Sequence, residues 1–133
     1  KHLEAVNIGA AGTFVIRKPV TKARLRAELA RRLPFETEIM ICEGRDIVRL
    51  MSQDPFAGEP ARPDVTRFVS VLAKAPRSAP SLPIVLPSRG KWLVKILARD
   101  HRFIFGVYRR DMKTIGYLGT ADKSFGVPVT TRN

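Results

Sequence analysis

Two runs with a period of two, joined by a short polar segment, constrain this chain more than anything else in it. From Lys91 to Ala98, the residues Trp92, Val94, Ile96 and Ala98 fall on one face. From Arg102 to Arg109, Phe103, Phe105 and Val107 alternate with Ile104, Gly106 and Tyr108. Such alternation puts successive side chains on opposite faces of an extended chain. Arg99-Asp100-His101-Arg102 is polar and short enough to reverse direction, so the two runs predict an antiparallel hairpin. A lone hairpin is marginal in water, and the rest of the chain has to cover it.

The flanking segments supply that cover. Lys1 to Val6 reads as the last turns of a helix stopped at Asn7 or Gly9. Gly12 to Arg17 is β-branched and aromatic, a strand closed by Pro19. Thr21 is a good N-cap for a helix from Lys22 to Leu33, whose Leu25, Leu29 and Leu33 form one stripe. Glu28 stands within reach of Arg24, Arg31 and Arg32 on the outer face, a self-compensating arrangement. Thr37 to Cys42 reads as a strand buried on both faces, and Gly44 to Gln53 as a helix with Asp46 in its first turn. Val65 to Ala73 alternates as a strand. The segment 75–87 carries prolines at 76, 80, 83 and 87 and reads as a loop or edge segment around Ile84-Val85-Leu86. A short helix within Thr120–Phe125 and a strand over Val127–Thr130 complete the order. The class implied is α+β: an antiparallel or mixed sheet with helices on one face. The 133 residues are expected to form a single domain cut from a slightly longer chain, with a subdivision near 74–88 as the alternative.

Composition narrows function chiefly by exclusion. One cysteine, Cys42, rules out an internal disulfide, and with only His2 and His101 beside it a structural zinc site is not expected. No apolar run reaches the ~20 residues of a membrane helix, and the start shows no secretory pattern, so a cytoplasmic chain without membrane attachment is expected. Lys plus Arg number 24 against 12 acids, a net charge of +12. Such a balance suggests a polyanion partner, nucleic acid above all. The Ala, Pro, Gly and Arg surplus also fits a compositional habit, and the longest basic runs are pairs such as Arg109-Arg110.

Two clusters are candidate sites. Thr130, Thr131, Arg132 and Asn133 combine two hydroxyls, a guanidinium and an amide that would hold a phosphate or carboxylate at a helix start. The plainer reading makes Thr131 an N-cap and pairs Arg132 with an acid. The hairpin sets Lys91, Lys95, Arg99, Arg102, Arg109 and Arg110 among Phe103, Phe105 and Tyr108, a pattern that binds single strands by stacking and charge. The plainer reading turns those aromatics into the core. Catalysis has little to stand on: there is no nucleophile elbow, P-loop or dinucleotide fingerprint, and no cofactor is implied. Cys42 reads as a small apolar residue and His101 as a solvated turn residue; Glu36, Glu38, Glu43 and Asp46 are candidates for acid/base chemistry or Mg²⁺ binding, and surface solvation explains them as well.

Three segments carry a resemblance. Ala11-Gly12-Thr13-Phe14-Val15-Ile16, Asp54-Pro55-Phe56, and Lys123, Gly126 and Thr130-Thr131-Arg132-Asn133 follow in order. Together they resemble the bacterial family catalogued as domain of unknown function 1697, over nearly the whole chain. That resemblance implies paired α+β subdomains of ferredoxin-like character and brings no established activity. The expectation is therefore a non-catalytic basic binding module for a polyanion or protein partner. The alternative is an enzyme or binding protein for a small phosphorylated or carboxylated ligand near Arg132. An exposed sheet edge would also permit a homodimer.

Overall fold

The computed structural model describes residues 4–10, 12–76 and 80–133. His2, Ala11 and the stretch 77–79 lie outside them, as does the start of the helix expected over Lys1–Val6. The chain divides into two compact units, Lys1–Ile41 and Cys42–Asn133. The fold is α+β, with three helices and two antiparallel sheets among the described residues.

The first unit opens on a hairpin. β1 (Ala5–Ile8) pairs antiparallel with β2 (Thr13–Ile16), Ala5 opposite Ile16. The helix expected to end at Val6 is thus replaced by a strand, because Val6 and Ile8 find ladder partners in Val15 and Thr13. Gly9 and Gly12 take the positive φ values, 68° and 70°, that this reversal needs. α1 (Lys22–Arg32) is capped as expected, the Thr21 hydroxyl accepting from the Arg24 amide at 3.2 Å. Leu25 is buried, and Glu28 pairs with Arg31 at 2.8 Å and Arg32 at 3.2 Å. The hydrogen bond from Arg31 holds the Glu28 carboxyl below its ordinary value. The expected strand over Thr37–Cys42 is irregular chain. No sheet ladder runs along it among the described residues, and strand-favouring residues make no strand without one.

The second unit is built on a five-stranded sheet, antiparallel throughout. α2 (Gly44–Ser52) leads into β3 (Val65–Leu72). The Pro-rich segment then carries the chain to the edge strand β4 (Ile84–Leu86), flanked by Pro83 and Pro87, which lack the donors an open edge would offer. That segment joins two strands of the same sheet; the division between units falls after Ile41. β5 (Val94–Asp100) and β6 (Phe103–Arg109) form the expected hairpin around His101 and Arg102, His101 taking φ 53°. α3 (Thr114–Lys123) precedes β7 (Val129–Arg132), and the order across the sheet is β4-β5-β6-β3-β7. α3 starts earlier than the sequence suggested: Ala121, with Phe125 just beyond it, packs on the sheet and offsets the roughly 1 kcal/mol each that Gly116 and Gly119 cost a helix.

Alternation along the strands makes two cores. Phe68, Leu72, Val94, Ile96 and Ile104 face α3. Phe103, Phe105, Val69 and Val71 face the other way, against Leu50 of α2, Cys42 and Phe56. The helices of this unit therefore cover both faces of the sheet, where one covered face was expected. A bulge between Ile96 and Ala98 shifts the register, so Ala98 joins the α2 side while Val94 and Ile96 face α3. A ferredoxin-like subdomain runs β-α-β-β-α-β. Among the described residues the first unit has two strands and one helix, and the second has β4, and no helix, between β3 and β5, where a first crossover helix would stand. Among the described residues no helix is long and apolar enough to cross a membrane.

Candidate functional site

Strand register gathers cations at one end of the large sheet. Val65 at the start of β3 stands opposite Arg109 at the end of β6. The Arg109 amide donates to the Leu93 carbonyl at 2.8 Å, which brings the entry to β5 alongside. Arg62, Lys91, Lys95, Arg109 and Arg110 come together here from three separate stretches of chain. The one tryptophan, Trp92, stands among them. The Lys95 ammonium and the Arg109 guanidinium each lie 4.3 Å from its ring centroid, within cation–π range.

The loop ahead of β3 closes over this end. Gly58, Glu59, Pro60, Arg62 and Val65, with Trp92 and Lys95, line a notch of about 190 Å³. That is below the roughly 300–1,000 Å³ of a pocket that engulfs a small molecule. The loop also brings two carboxylates. Glu59 lies 3.5 Å from the Lys95 ammonium, and Asp64 accepts from Arg109 at 2.8 Å. Arg67 ties the loop down, its guanidinium 5.3 Å from the Phe56 ring centroid and 3.3 Å from the Glu59 carbonyl. Arg109 is 15% exposed and its Nε is buried without a hydrogen bond. Arg62, in the wall of the notch, is exposed, as are Lys91 next to Trp92 and Arg110 next to Arg109.

The six hairpin cations do not form one strip. Lys91, Lys95, Arg109 and Arg110 occupy the Trp92 end. Arg99 and Arg102 sit at the turn: at the rise of an antiparallel strand, Arg102 is about 24 Å along β6 from Arg109, and Arg99 about 14 Å along β5 from Lys95. There Arg99 donates to the His101 carbonyl at 3.0 Å, and Arg102 reaches the Cys42 sulfur at 3.6 Å. The stacking platform also changes: Phe103 and Phe105 are 2% and 3% exposed under α2, and half-buried Tyr108 packs on the α3 side. The aromatic at the cations is Trp92, which precedes β5 and so escapes the alternation that assigned it to the face of Val94.

The segment Thr130-Thr131-Arg132 lies in β7, so it neither opens a helix nor, among the described residues, supplies a cap. Thr131 stands opposite Ser70, and Thr130 and Arg132 point to the other face, opposite Val71 and Val69. The Arg132 guanidinium donates to the Thr130 hydroxyl and the Thr131 carbonyl, both at 2.8 Å. Asn133 donates to the Tyr108 hydroxyl at 3.3 Å. The four polar groups do not converge on a common point.

Cys42 is half-buried against Leu50, Phe103 and Phe105, as a small apolar residue would be. His101 is exposed and hydrogen-bonded to Asp100; that bond, with Arg49 nearby, holds the Asp100 carboxyl below its usual value. Glu43 pairs with Arg45, and Asp46 with Arg49. Among the described residues no group of three or more His, Cys, Asp or Glu is placed to hold a metal ion. Sequence reasoning missed Glu59, Asp64 and the position of Trp92; a tryptophan between Lys91 and Lys95 just outside a strand was the available signal. No family model matches the chain, and no curated protein or solved structure matches it either.

Proposed function

We propose that this chain is a non-catalytic binding module for an extended polyanion, single-stranded nucleic acid, held across the Trp92 end of the large sheet. The observation that carries this reading is the Trp92 ring with two cations 4.3 Å from its centroid, in the wall of a notch that exposed Arg62 also lines, with Lys91 and Arg110 exposed next in sequence to Trp92 and Arg109. Phosphates are held by the exposed cations, and a base enters the notch against the indole. Stacking of that kind contributes about 1–3 kcal/mol per base and tolerates any sequence. The second unit holds sixteen Lys and Arg against eight Asp and Glu, so the long-range field also favours a polyanion. A small phosphorylated or carboxylated ligand near Arg132 has no comparable support, because that guanidinium is turned onto Thr130 and Thr131. Kinship with the domain of unknown function 1697 family is likewise a proposal, resting on the resemblance of the three segments quoted above, and it brings no activity with it. A cytoplasmic setting belongs to this same proposal; homodimerisation forms no part of it.

The test is fluorescence anisotropy with labelled single- and double-stranded oligonucleotides across a salt series, read together with Trp92 emission. Single-strand binding that weakens linearly in log–log salt, with a change in the emission of this lone tryptophan, is the expected result. Absence of binding at low salt ends the proposal.

A further inference from the structure

We infer that Glu59 and Asp64 act as internal stand-ins for two ligand phosphates, and that they are the residues selecting a strand over a single phosphate. This rests on the function just proposed. The two cations at Trp92 are not bare: Glu59 lies 3.5 Å from Lys95, and Asp64 accepts from Arg109 at 2.8 Å. Both acids come from the one loop that also walls the notch. Both cations lie 4.3 Å from one ring centroid, so they are no more than twice that distance apart. Two anionic groups are thus held beside one aromatic ring, the arrangement a nucleotide with its flanking phosphates would present.

The arrangement has a selective consequence. A single phosphate replaces one carboxylate with one anion and gains little. A strand replaces both, adds phosphates on exposed Lys91 and Arg110, and brings a base to the indole. The Lys95 side chain is 24% exposed and that of Glu59 18%, so this pair is partly shielded from competing salt. Asp64 is 53% exposed and is the more open to solvent of the two acids.

The experiment compares the whole chain with Glu59→Gln, Asp64→Asn and the double variant. The probes are a labelled single-stranded oligonucleotide and inorganic phosphate as competitor. Each substitution is expected to tighten oligonucleotide binding roughly two- to fivefold, the scale of a partly exposed ion pair. In the double variant inorganic phosphate should also compete at lower concentration. A charge-matched control, Glu36→Gln with Glu38→Gln, changes the net charge equally in the other unit and should leave affinity nearly unaltered. If the control tightens binding as much as the loop variants, bulk charge is the cause and the inference fails. If the wild-type chain binds and the loop variants bind no tighter, the inference fails while the proposed function stands. If neither the wild type nor the double variant binds, both fail. Should the double variant not fold, Asp64→Asn alone, at the more exposed position, decides the matter.

Discussion

The hydroxyls of Ser70 and Thr131 lie 2.6 Å apart although 61 residues separate them in the chain. Ser70 is 2% exposed, so its polar group depends on this partner across the β3–β7 ladder. Thr131→Val keeps the shape and removes the bond. It should cost about 1–2 kcal/mol in urea unfolding, the range for stranding a buried hydroxyl. Ser70→Ala with Thr131→Val should cost less than the two changes summed, because the second substitution removes the group the first left unpaired. Strict additivity would show that the pair contributes nothing.

Gly106 marks the tightest point of the sheet. A Cβ there would lie 2.4 Å from the Phe68 ring and 2.6 Å from the Lys95 carbonyl. The ring can shift only into a packed core, and the carbonyl belongs to the β5 ladder. Gly106→Ala should therefore destabilise the second unit by about 3 kcal/mol, at the upper end of overpacking. A loss well under 1 kcal/mol would mean that β5 and β6 separate easily.

Asp122 on α3 gives a pH signature. Burial raises its carboxyl from the usual 3.8 to about 6. The folded chain then holds a proton that the unfolded chain releases, so this residue makes stability fall as pH rises from about 4 to about 6. Asp100 and Glu28, both shifted down, act with the opposite sign at lower pH. Asp122→Asn should remove the first component alone. Melting temperatures of the two proteins should be closest at acid pH, with the variant ahead at neutral pH. Parallel curves across that window would place the carboxyl in water.

Charge reversals at the two ends of the hairpin should differ. Lys91→Glu and Arg110→Glu, beside Trp92, should weaken single-strand binding and reduce its salt slope by about 0.7 for each phosphate left without its cation. Arg99→Glu, at the turn, should change affinity far less. Equal effects at both ends would mean that net charge, and not this surface, attracts the strand.

How much of this was legible depended on whether a feature is decided within a few residues. Thr21 with its Leu25 stripe, and the alternation from Lys91 to Arg109, carry their own evidence, since capping and period are local properties. The Thr37–Cys42 stretch shows the limit: its residues favour extension, but a strand also needs a neighbour. At Ala5–Ile8 the reverse holds, and pairing with Thr13–Ile16 overrides a helical reading. For the candidate site the sequence determined which residues are charged and that they flank a hairpin. Only the tertiary structure decided the rest: the bulge that moves Ala98, the burial of Phe103 and Phe105 under Leu50, and the meeting of Glu59, Asp64, Lys95 and Arg109 around Trp92. Those four charges come from a loop and two strands, and the register that aligns β3, β6 and β5 is fixed by burial on both faces of the sheet, which no local pattern encodes.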